Sequence, residues 1–75
     1  MTALYAPAAV RDQFLASLDT EDWDTSRDMA TNLTACGNPL PGVTCNQLGL
    51  PMGSTYGAAA KCVLAMDALE RAKGQ

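Results

Sequence analysis

The sequence predicts an all-α fold, a small bundle of about four helices forming a single domain over 1–75, with the last helix the longest. Three observations predict it. Apolar residues recur at spacings of three and four in several segments, which is the period of one helix face. No segment keeps the alternation of a half-buried strand. Residues that break helices fall between the periodic segments, at Gly37-Asn38-Pro39, Pro41-Gly42 and Gly49-Leu50-Pro51.

Residues 1–6 read as irregular, and these together with 74–75 are expected to fray. Pro7 opens the first helix, which runs to about Leu18. Val10, Phe14, Leu15 and Leu18 share its apolar face, while Arg11, Asp12 and Gln13 point outward. An acidic run follows, with Asp19, Glu21, Asp22 and Asp24 around Trp23. Thr20 or Thr25 is expected to cap the next helix, and acidic residues suit a first turn. Trp23 has two readings. It either anchors in the core or, with Asp22 and Asp24, forms an exposed acidic-aromatic patch for a basic partner.

The second helix is expected over Ser26 to Ala35, with Met29, Ala30 and Leu33 inward and Gly37 as its stop. A short third helix follows Leu40-Pro41. Val43 and Leu48 are its apolar members, and Cys45 is a small filler between them. Gly49 stands where a helix end needs positive φ, Leu50 is the buried residue of the turn, and Pro51 blocks continuation. Ser54 or Thr55 caps the last helix, expected from about Ser54 to Lys73 and roughly 30 Å long. Tyr56, Ala59, Ala60, Val63, Met66 and Leu69 form its apolar face, opposite Lys61, Asp67, Glu70 and Arg71. Arg71 and Lys73 suit the last turn of the dipole, and Gly74 can end it.

The chain carries five Lys and Arg against eight Asp and Glu, a net charge of −3. A surface dominated by phosphate contacts needs clustered cations, so the balance argues for a protein partner over nucleic acid. No apolar run is long enough to span a bilayer, and the start lacks a basic region followed by an apolar block. The expected location is the cytoplasm, without membrane contact. Cys36, Cys45 and Cys62 then read as reduced, buried, small apolar side chains. A Cys36–Cys45 bridge closing the Gly/Pro loop is the alternative.

The sequence offers little for catalysis. His is absent, and with it the commonest general base. No phosphate loop, dinucleotide fingerprint or serine-hydrolase elbow occurs. The cysteines have no partner base and no paired zinc spacing, and the acidic run lacks the Gly and terminal Glu of a calcium loop. The expectation is a protein that is not an enzyme and has no cofactor, no metal and no small-molecule substrate.

The stretch Leu48-Gly49-Leu50-Pro51-Met52-Gly53-Ser54-Thr55-Tyr56 resembles the turn of the helix-turn-helix in region four of sigma factors and related small bacterial or phage regulators. A small residue often stands four before the turn Gly in those families, as Cys45 does here. Gly49, Pro51, Gly53 and Ser54 match the Gly-x-Pro-x-Gly-Thr/Ser core. The resemblance covers Leu40 to Ala72 and implies a helix-turn-helix-like C-terminal half. For function it implies a dimeric DNA-binding transcriptional regulator, touching DNA through Ser54, Tyr56, Lys61, Arg71 and Lys73. Carried over position by position, Met52, Ser54, Tyr56, Gly57, Ala58 and Lys61 face the groove. Only Lys61 among them is basic, and Gly57-Ala58-Ala59-Ala60 offers almost nothing for base edges.

That departure supports a different reading, a helix-turn-helix-like fold whose working surface binds a protein through Asp22, Trp23, Asp24, Tyr56 and Lys61. Small acidic domains of this size include phage- or plasmid-encoded modulators of host proteins. The smooth Gly57–Ala60 surface suits close helix packing, within the chain or across a homodimer through the last helix. Burial of that segment is what separates the two readings.

Overall fold

Four helices follow one another in this computed structural model, which describes residues 5–74: α1 (Ala8–Asp19), α2 (Trp23–Leu33), α3 (Gly42–Leu48) and α4 (Tyr56–Lys73). The class is all-α, as expected, and the long last helix is its spine. Of the ends expected to fray, residues 1–4 and 75 lie outside the described residues.

The caps explain the boundaries. Helix α2 begins at Trp23, three residues before the expected start, because Asp22 supplies the N-cap. The Asp22 carboxylate accepts from the Thr25 N–H at 3.4 Å and from the Thr25 hydroxyl at 2.7 Å. Neither threonine expected to cap does so, since the Thr20 hydroxyl donates back to the Ala16 carbonyl at 2.9 Å. Gly49 ends α3 at φ 71°, the left-handed conformation that a Cβ makes costly. Thr55 caps α4 through the Ala58 N–H, one of the two candidates at that end.

Helices α2 and α4 run antiparallel, with the end of α2 at Gly57 and its start beside the later turns of α4. The core gathers Phe14 and Leu18 of α1, Ala30 and Leu33 of α2, and Tyr56, Ala59, Ala60 and Val63 of α4. Full burial of a side chain the size of Phe14 stabilises by about 1.5–3 kcal/mol. Between α1 and α2 the buried Ser17 and Ser26 hydroxyls meet at 2.7 Å. Ser17 donates to the Phe14 carbonyl at 2.6 Å, so its single proton is used and Ser26 is the donor between the pair.

The connection over 36–40 closes on the start of α4. The Gly57 N–H donates to the Cys36 carbonyl and the Tyr56 N–H to the Asn38 carbonyl, both at 2.9 Å. The Leu40 N–H returns to the Ser54 carbonyl at 2.9 Å. This approach needs Gly57: a Cβ there would lie 2.8 Å from the Thr34 carbonyl oxygen and 2.9 Å from that of Cys36. The Asn38 side-chain oxygen accepts from the Ala6 N–H and the Cys36 thiol, pinning the entry to α1.

Two expectations about the core are corrected, and of the two cysteine readings the alternative is the one not met. Val43 is exposed, and Thr44 and Cys45 are the buried residues of α3, because the inward side of this short helix starts one residue later. Met66 and Leu69 do not join the core, because they turn roughly 60° and 120° around α4 from Val63. Asp67 and Glu70 continue the Val63 line beside the start of α2. The Cys36–Cys45 bridge is not formed: all three cysteines are thiols, Cys36 and Cys45 buried and Cys62 half-buried.

Candidate interaction surface

The second half of α4 leaves apolar side chains open to solvent. Beyond Val63, which is 3% exposed, Met66 is 37% exposed and, further around the helix, Leu69 is 62% exposed. Trp23 stands opposite, on the first turn of α2, and is 48% exposed. Trp23, Val63 and Met66, with Asp67 and Glu70, line a groove of about 390 Å³. Trp23 also lines a smaller depression of about 260 Å³ with Leu18, Asp19, Glu21, Gln47 and Leu48. One indole is therefore a shared wall between two hollows.

Local backbone chemistry sets that indole where it is. Helix α1 ends at Asp19, and Glu21 adopts φ 58°, uncommon for a residue with a Cβ. The Asp22 N–H returns to the Ser17 carbonyl at 2.9 Å. The chain thus reverses within three residues, and the Asp22 cap fixes Trp23 as the first helical residue.

Carboxylates ring the surface. Arg27, on α2, lies 3.8 Å from each of Asp24, Asp28 and Asp67. Arg71 makes the one close pair, its Nε 2.8 Å from Asp67. Most of these side chains are open to water, so the pairs contribute roughly 0–1 kcal/mol each. Their effect is on shape and sign. The Arg27–Asp67 contact ties α2 to α4 below the groove, and a single guanidinium faces three carboxylates. Glu70 has no ion pair among the described residues.

The expected binding residues scatter. Trp23 and Asp24 are exposed, as a binding patch requires, and Asp22 is spent on the cap. Tyr56 is corrected to a core residue, 3% exposed, with its ring centroid 6.3 Å from that of Phe14. Burial pushes its hydroxyl pKa up; Arg11 opposes this, and Asp12 and Cys36 reinforce it. Lys61 is exposed, but five residues along a helix turn it roughly 140° from Tyr56, so the two do not form one patch. Of the residues considered for DNA, Met52 is exposed, and Ser54 is half-buried with its hydroxyl on the Pro51 carbonyl at 2.6 Å. Arg71 is tied to Asp67, and Lys73 is exposed in the last turn with no ion pair among the described residues.

Gly57, Ala59 and Ala60 are buried and Ala58 is half-buried. The first-turn donors of α4 are also taken, those of Tyr56 and Gly57 by the connection and that of Ala58 by Thr55. Sequence reasoning read Met66 and Leu69 as core and missed them as surface. The available signal was angular, since Leu69 lies roughly 120° around the helix from Val63.

Among the described residues, no group of His, Cys, Asp or Glu is placed to hold a metal ion, and no helix is long and apolar enough to cross a membrane. No protein-family model, curated protein or solved structure matches this chain.

Proposed function

We propose that this protein is a small protein-interaction module that holds its partner on the open groove at Trp23. The carrying observation is the exposure of Trp23, the only tryptophan, against Met66 on a face that continues to Leu69. Large apolar side chains grouped at one place on a small surface mark interaction sites, and Trp is enriched where binding energy concentrates. The reading assigns no enzymatic step. Size and acidity suit a modulator that acts by occupying a larger protein, and three free thiols suit the reducing cytoplasm.

Contact with DNA is the second reading, and the helix–turn–helix order of α3 and α4 with Gly49 in the left-handed turn favours it. It has less support, because the segment that would meet base edges is packed inside and the first-turn donors of α4 have partners. Affinity capture with the whole chain and with Trp23→Ala tests the choice. The expected result is a partner retained by the wild type and lost by a variant whose circular dichroism is unchanged. Retention of the same partner by Trp23→Ala would overturn the groove. Steeply salt-dependent binding of mixed-sequence duplex DNA would favour the second reading.

A further inference from the structure

The charged residues that line the hollows at Trp23 are all acidic, and Arg27 and Arg71 beside them are both paired with Asp67. Asp67 and Glu70 line the larger hollow, Asp19 and Glu21 line the smaller one, and no Lys or Arg lines either. Beside them on α2, the exposed Asp24 and Asp28 share Arg27 with Asp67. The floor is apolar and the rim is an excess of carboxylates.

The occupant must also satisfy its own backbone. The described residues contain no strand edge, only one isolated bridge between Pro39 and Thr55. The hollow lined by Trp23, Val63 and Met66 offers side chains and no row of main-chain donors and acceptors. An extended peptide laid there would lose hydrogen bonds to water without replacement, whereas a helix brings them paired.

We propose that the groove takes a cationic amphipathic helix of a partner protein. Its apolar residues, at spacings of three, four and seven, sit on Trp23 and Met66 and extend over Leu69. Its flanking Lys and Arg face Glu70 on one side and Asp19 and Glu21 on the other. A second copy of this chain fits less well, because the same apolar face would bring the same carboxylates with it. This inference rests on the interaction-module reading and adds the class of partner.

Trp23 is the only tryptophan, so its emission reports the groove directly. The probes are three synthetic peptides of about 18 residues, long enough to form a helix. One has Leu on one helical face and Lys elsewhere, one replaces Lys with Glu, and one scrambles the Leu/Lys order to destroy the face. The Leu/Lys peptide is expected to shift Trp23 emission to the blue and saturate. The other two are expected to bind at least about tenfold more weakly. Asp19→Lys with Glu70→Lys, both at exposed positions, should weaken the Leu/Lys peptide and strengthen the Leu/Glu peptide.

Equal binding of the Leu/Lys and Leu/Glu peptides, or no response to the charge reversals, would overturn the cationic partner and leave the interaction module standing. Equal binding of the scrambled peptide would overturn the helix. If neither helical peptide moves the emission and Trp23→Ala keeps its captured partner, both the inference and the module reading fall. A blue shift that grows with protein concentration alone, alongside a doubled mass in sedimentation, would identify the occupant as a second copy and overturn the proposal.

Discussion

The two halves of α4 share one apolar stripe and come to different ends. From Tyr56 to Val63 that stripe lies against α1, α2 and the 36–40 connection, and Ala59 and Ala60 have no exposed surface. From Met66 to Leu69 it opens to solvent, Met66 beside the hollow at Trp23 and Leu69 outside it. Side-chain chemistry does not account for the difference, since Met and Leu are more apolar than Gly and Ala. The neighbours account for it. Small residues let the first half approach α2 and a backbone loop closely. In the second half Asp67 and Glu70 continue the Val63 line beside the start of α2, and Met66 and Leu69 turn away from it. Burial here follows the side of α4 that α2 covers.

The comparison can be broken most forcefully in the first half. Ala59→Glu places a carboxylate at a position with no exposure, and the cost of an unpaired buried charge exceeds what a domain of this size holds in reserve. The expected outcome is loss of the helical circular dichroism signal at neutral pH. A native spectrum with an unchanged melting temperature would show that the first half is not packed as described.

Gly57→Ala is the finer test. Its Cβ would meet two carbonyl oxygens inside 3.0 Å, and that of Cys36 is itself the acceptor of the Gly57 N–H. Helix propensity alone would favour Ala by about 1 kcal/mol. The clash is expected to reverse that sign and leave a net loss of about 2 kcal/mol in urea unfolding. A stabilised variant would remove the close approach of α4 to the connection.

The smallest effect is at Tyr56. Its pKa is raised in the folded chain, chiefly by burial, so the neutral form is the one the fold favours. The stability this contributes is complete below the ordinary tyrosine pKa of about 10 and is lost as pH rises through the higher folded value. Tyr56→Phe should therefore flatten the decline of stability above pH 10 and leave the curve at neutral pH nearly parallel to the wild type. An identical alkaline decline in both proteins would contradict the burial.

Much of the fold was legible because local chemistry marks it. Gly49 and Pro51 stop one helix, Thr55 starts the next, and the three-four spacing of Phe14 and Leu18 selects a face that is indeed buried. Asp22 was missed as a cap because threonines on both sides were equally eligible, and only the reversal at Glu21 selects among them. The surface was less legible. Tyr56 and Trp23 are both aromatic residues beside a helix start, yet one faces Phe14 and the other faces water. That outcome depends on which helices cross and how far each extends. Periodicity names a face without saying where its cover ends, so Met66 and Leu69 read as core.

The most direct measurement is urea unfolding of a pair on α4, Val63→Ala and Leu69→Ala, separated by less than two turns. Val63→Ala is expected to cost about 2 kcal/mol, because it removes buried methyl groups and leaves a gap. Leu69→Ala, although it deletes more carbon, is expected to stay within about 0.5 kcal/mol of the wild type. A loss at Leu69 as large as that at Val63 would show that Leu69 is covered in the folded protein, and would contradict the open surface beside the groove.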